Sequence, residues 1–153
     1  MNLPAVTRVV ERRPSNAAVW GFLGPELPPL RSGRPRDPYL EADCHPDAVS
    51  HVWDKLGGAL SDDCRALLKG RPVLAHPTSQ AVLAFAYGTG YALLVPLPER
   101  QRAIEVGLSP VMRWSVGSPT DLAKHLGHQW LFGHWRPEEL AWCQQACAEA
   151  AEA

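Results

Sequence analysis

At 153 residues, 46% hydrophobic and 20% charged, the chain suits one domain with an appendage better than two full domains. Its net charge of -1 gives no global pull toward nucleic acid or an anionic membrane. No apolar run approaches the ~18 residues of a membrane helix. The opening MNLPAVTRVVERRPSN lacks the apolar core and cleavage site of a secretory signal, so a cytoplasmic location is the expectation.

Residues 1–45 read as a proline-rich extended arm. Eight of the fifteen prolines fall within the first 46 residues. Proline fixes φ and removes a backbone donor, so PELPPLRSGRPRDP suits neither a helix interior nor a central strand. Extended, partly polyproline II backbone is expected there, and within the arm Leu3 to Arg12 is the one stretch suited to a strand. Trp20, Phe22, Leu23, Leu27 and Leu30 are more apolar anchors than a solvated tail needs. The arm therefore reads as a strap that docks on its own domain or on another chain. Through residue 40, six arginines face three acids. The strap is basic, the remainder acidic, and mutual attraction between them is the simplest consequence.

Residues 46–153 read as an α+β globular domain. Pro46 suits a first helical position, and Val49, Val52, Trp53 and Leu56 follow at helical spacing before Gly57-Gly58. Ser61, Asp62 and Asp63 resemble a second helix start, ending at Lys69-Gly70. Three strands follow, near Pro72–His76, Ala81–Tyr87 and Tyr91–Val95, the last two joined through Gly88-Thr89-Gly90. Both faces of the later strands are apolar, with Val82, Ala84 and Ala86 on one side and Leu83, Phe85 and Tyr87 on the other. A sheet with one wet face would alternate with polar residues, so both faces must be covered. A short helix over Glu99–Val106, a strand near Val111–Val116 and a helix from the Ser118–Asp121 cap to Leu126 come next. A terminal helix opens at Pro137, with Glu138 and Glu139 in its first turn and Leu140, Cys143, Cys147 and Ala150 facing inward. The sum is a small antiparallel sheet of three to five strands packed with three to five short helices.

The stretch HLGHQWLFGHWRPEELAW gathers three of the six tryptophans and three of the six histidines. It matches no catalytic or metal-binding signature. His125, His128 and His134 would make a metal centre only if the fold brought them together, since Gly127 interrupts the helix that would carry the first two. No HEXXH or GxSxG motif is present, and the Gly88-Thr89-Gly90 turn lacks the following helix of a phosphate-binding loop. Cys44, Cys64, Cys143 and Cys147 read as reduced thiols, for the most part small hydrophobes in a core.

These readings favour recognition over catalysis. The leading expectation is a non-catalytic protein that binds another protein or its own copy, as an immunity factor, inhibitor, adaptor or assembly subunit. Trp20, Phe22, Arg31, Arg34, Arg36, Tyr39, Trp130, His134 and Trp135 are the candidate contacts. No cofactor, membrane partner or small-molecule substrate is expected. Two alternatives stand beside it: a metal-dependent enzyme on the histidines at 125, 128 and 134, and a nucleic-acid-associated subunit that lays Arg31, Arg34, Arg36 and Tyr39 along a phosphate backbone. The acidic body argues against the second of these.

Overall fold

A computed structural model describes residues 8–24, 44–112 and 120–151. Five antiparallel strands form its centre: β1 (Arg65–Leu68), β2 (Arg71–Ala75), β3 (Val82–Tyr87), β4 (Gly90–Leu94) and, after the two-residue strands β5 (Val111–Met112) and β6 (Thr120–Asp121), β7 (Trp130–Phe132). Their order is β1-β2-β3-β4-β7, while β5 and β6 pair only with each other. The expected α+β fold is present. The strand expected near Val111–Val116 is thus a short ribbon outside the main sheet, and residues 113–119 lie outside the described residues.

Each face of the sheet carries its own packed layer. On one face lie α2 (Pro46–Ser50), the π-helical turn His51–Leu56 that continues it, α3 (Arg100–Glu105) and the terminal α5 (Glu138–Ala150). They bury Val49, Val52, Trp53, Leu56, Ala103, Trp142 and Ala146 against Leu74, Leu83, Leu93 and Leu131. Trp53 is fully enclosed, and its indole N–H donates to the Val73 carbonyl at 3.1 Å, which satisfies its one polar atom.

On the opposite face lie α1 (Ala17–Phe22), the extended residues that precede it, and α4 (Leu122–Leu126). Val10, Val19, Leu23 and Leu122 close over Ala66, Leu68, Val73, Ala75, Phe85, Ala92, Trp130 and Phe132. The requirement that both faces be covered is met within one chain. Val10 N–H donates to Leu67 O at 2.8 Å and Leu67 N–H to Arg8 O at 3.0 Å, so this segment also pairs with the β1 edge. Asn16, buried, donates to Glu11 O and Gln80 O, and Lys69 Nζ holds the carbonyls of Trp20 and Gly24. The segment is clamped at both ends of the strands it crosses.

Three expectations need correction. Ser61 does cap a turn, but only the 3-10 turn Asp62–Cys64; Arg65–Leu68 then runs as β1 instead of continuing a helix. Lys69 and Gly70, at φ 51° and 79°, make the tight turn that folds β1 onto β2, a geometry that outweighs the helical propensity of RALLK. Residues Ala17–Phe22 form a helix inside what reads as an extended strap, because the prolines flank AAVWGF without entering it. Finally, the β2–β3 register slips between Leu74 and Ala75. This bulge moves Val82 to the face of Phe85 and Leu83 to the face of Ala84 and Ala86, which breaks the simple alternation.

No helix among the described residues is long and apolar enough to cross a membrane.

Candidate functional site

The structure scatters the sequence-derived candidates. Trp130 and Phe132 face inward on β7, 6% and 4% exposed, with Trp130 5.2 Å from Phe85. Trp130, a candidate partner contact in the sequence, is therefore corrected to a core residue in the layer that α1 and α4 close. Phe22 stacks on Phe85, Tyr87 and His125 at 5.8, 5.3 and 5.6 Å, and Trp20 lies under the Lys69 ammonium at 4.8 Å. His125, His128 and His134 are exposed and do not converge; among the described residues no three His, Cys, Asp or Glu side chains are placed to hold a metal. Arg31, Arg34, Arg36 and Tyr39 lie outside the described residues.

His134 and Trp135 occupy the short connection from β7 to α5, and here the fold concentrates its polar chemistry. Trp135 is 50% exposed yet sits at φ 57°, the left-handed region that a bulky side chain rarely adopts. Holding it there costs about 1–3 kcal/mol, which the surroundings must offset. They do so through the backbone. The Gly133 N–H donates to the Tyr91 carbonyl at 2.9 Å, the His134 N–H to Glu139 Oε2 at 2.8 Å, and the Trp135 N–H to the Tyr91 hydroxyl oxygen at 2.8 Å. The Tyr91 hydroxyl in turn donates to Glu139 Oε1. One tyrosine from β4 and one glutamate from α5 thus fix three successive amides.

Both bracing groups are deeply buried. Glu139 is 0% exposed, although its place in the first turn of α5 suggested a solvated, dipole-complementing carboxylate. Burial, with the Glu139 carboxylate beside it, holds the Tyr91 phenol far above its ordinary value, so it stays a hydroxyl donor. His51, the first residue of the π turn, packs 4.4 Å from both Tyr91 and Trp135. Its Nε2 lies 3.5 Å from Glu139 Oε1 and makes no hydrogen bond. Such widened turns recur where a helix serves a function. Beyond His51 opens a cleft of about 490 Å³ lined by Asp47, Ser50, His51, Asp54, Lys55 and Trp135.

Gly133 makes the arrangement possible. A Cβ at this position would fall 2.0 Å from Tyr91 Cε2 and 2.2 Å from Cζ. We expect Gly133→Ala to displace the Tyr91 ring and lower stability by about 1–3 kcal/mol or more. Urea unfolding checks this, and an unchanged midpoint would show that Tyr91 relaxes freely. His134 is seated in a similar way: its ring lies against Gly107, where a Cβ would meet Cδ2 at 2.5 Å.

The cluster holds better than it reacts. Both Glu139 oxygens accept hydrogen bonds, and the tyrosine is spent on the same loop. Two of the thiols are poor nucleophiles, since burial, then the neighbouring Cys147 thiol, pushes Cys64 up to about 11 and Cys143 up to about 12. Sequence reading located Trp135 and His134 but missed His51, Tyr91 and Glu139. One signal was available: Tyr91 heads a strand that is apolar on both faces, and a buried hydroxyl there must find a partner.

Comparison with known proteins adds nothing to this geometry. No family model, no curated protein and no solved structure matches the chain.

Proposed function

We propose that this chain is a cytosolic, non-catalytic recognition module, an inhibitor, immunity factor or adaptor, whose partner is another protein gripped at Trp135. The observation that carries the reading is the braced left-handed conformation of a half-exposed tryptophan. Tryptophan dominates the energetics of protein interfaces when it enters a pocket already ordered, and a pre-set indole loses little freedom on binding. Strain held at one residue by a dedicated buried network is the kind of outlier from which function is properly inferred.

The sheet edges argue in the same direction. The β1 edge is paired at residues 8–10, and the β7 edge exchanges hydrogen bonds with Ser109 through Ser109 N–H to Phe132 O and Phe132 N–H to Ser109 O. Recognition by strand addition would have to displace one of them. A presented side chain is the simpler mode.

Trp135→Gly tests the proposal, because glycine accepts φ 57° without strain. Stability is expected to stay within about 1.5 kcal/mol of the parent chain. Affinity for the partner, recovered from native extract and then purified, is expected to fall by about 2 kcal/mol, or roughly thirtyfold. A purified partner that binds the variant as tightly as the parent would remove Trp135 from the interface.

A further inference from the structure

We propose that Cys64 and Cys147 form a redox pair, closed to a disulfide by hydrogen peroxide and reopened by a thiol reductant such as glutathione. The inference stands apart from the recognition reading, because it uses none of the residues around Trp135. Cys64 ends the 3-10 turn before β1, and Cys147 lies near the end of α5. The fold packs both into one core cluster, with Cys64 1% exposed and Cys147 half-buried against it. One turn earlier on α5, Gln144 Nε2 donates to the Ala59 carbonyl at 3.0 Å and ties the helix to the turns that lead to Cys64. The Cys64 thiol is hydrogen-bonded to the Cys147 sulfur.

Packing also decides which thiols pair. Cys143 and Cys147 stand four apart on one helix, where Cβ atoms lie about 5–6 Å from each other. A disulfide spans only ~4 Å between its Cβ atoms, so joining those two would distort α5. Cys143 is also fully buried, out of reach of an oxidant in solvent. Of the three clustered thiols, Cys147 alone presents more than a trace of surface. A reachable thiol in contact with an enclosed one is the arrangement of an attacked and a resolving cysteine.

The chemistry runs in two steps. The Cys147 thiolate attacks one peroxide oxygen; the O–O bond breaks, a sulfenic acid forms, and the other oxygen leaves as hydroxide that takes up a proton to become water. The Cys64 sulfur then attacks the Cys147 sulfur; the S–S bond forms, the S–O bond breaks, and the departing hydroxide carries off the Cys64 proton as a second water. Two thiols thus lose two electrons and two protons, and one peroxide becomes two waters. Arg8 Nη1 donates to the Asp63 carbonyl at 2.7 Å, which sets a positive charge beside the turn that ends at Cys64. A cation there favours the thiolate through which Cys64 must pass. Glutathione reopens the bond by thiol–disulfide exchange, with Cys147 as the accessible sulfur.

The test treats the full, folded chain with equimolar hydrogen peroxide, then denatures it, alkylates every remaining thiol and maps the digest by mass spectrometry. The alkylatable thiols are expected to fall by two from the chain's four, with fragment spectra that join Cys64 to Cys147 within a monomer. Incubation with glutathione before alkylation should restore all four. Cys147→Ser, a change at a half-buried position, is expected to leave Cys64 reduced under the same treatment. Four thiols that all stay alkylatable in the treated parent chain would overturn the proposal. So would a Cys147 driven to sulfinic acid while Cys64 remains a thiol, because the enclosed partner would then have failed to resolve it. A bond from either residue to Cys44 or Cys143, or one between two chains, would overturn it equally.

Discussion

Deletion of residues 1–24 is expected to cost most of the domain's stability. Val10, Val19 and Leu23 are buried by this segment, and each such side chain is worth ~1.5–3 kcal/mol when removed from water. The loss does not end with them. Val73, Phe85, Ala92 and Trp130 belong to the same packed layer and would be partly uncovered. The β1 edge would also lose its pairing at Val10 and Leu67 and stand open to another chain. Typical domains retain only about 5–15 kcal/mol in total. The truncated chain should therefore unfold at a much lower urea midpoint, bind a hydrophobic dye and associate in a concentration-dependent way. Circular dichroism against urea, with sedimentation of the same samples, reads both effects. A truncated chain with the parent's midpoint and monomeric mass would show that α4 alone seals this face.

That expectation grew from strand chemistry legible in the sequence. VLAFAY and GYALL are apolar on both faces, so a second cover had to exist, and Phe22 and Leu23 were the nearest unassigned anchors. The three strands between residues 71 and 94 were equally legible, since turn residues bound each apolar run. Helices were harder. The cap at Ser61 is real, yet a cap reports only that a turn begins and says nothing of how far it runs. The inner stripe of α5 was only partly legible for a related reason. Cys143 and Ala150 are buried and Leu140 and Cys147 pack half-buried against the same core, but Glu139, Trp142 and Ala146 complete the row, and a buried carboxylate disguises it in any hydropathy pattern.

The site was half legible for physical reasons as well. A crowd of histidine and tryptophan between residues 125 and 142 marks a region rich in chemistry, and Trp135 lies inside it. What organises that region comes from far away in the chain: Tyr91 is 48 residues from Glu139, and His51 belongs to another helix altogether. Long-range hydrogen bonds of this kind leave no periodic trace. The π turn that starts at His51 is also invisible to a reading based on 3.6 residues per turn.

Glu139→Ala is the substitution that bears hardest on this network. It strands the buried Tyr91 hydroxyl and removes the acceptor of the partly buried His134 N–H. An unsatisfied buried donor costs ~1–3 kcal/mol, and removal of one member of a buried polar cluster about 3–5 kcal/mol in all. We expect a loss of about 3–5 kcal/mol, read as a lower urea midpoint and a melting temperature reduced by on the order of 10 °C. Glu139→Gln separates shape from hydrogen bonding. Its amide keeps one acceptor oxygen and turns two donors toward a backbone N–H, so it should cost about 1–2 kcal/mol. Both variants should also loosen the Trp135 backbone, because its N–H depends on a Tyr91 hydroxyl that Glu139 holds in place. Faster hydrogen exchange at the amides of His134 and Trp135, beyond any global change, is the expected signature. An alanine variant within about 1 kcal/mol of the parent, with slow exchange at those two amides, would mean that the β7–α5 connection holds its shape without Glu139.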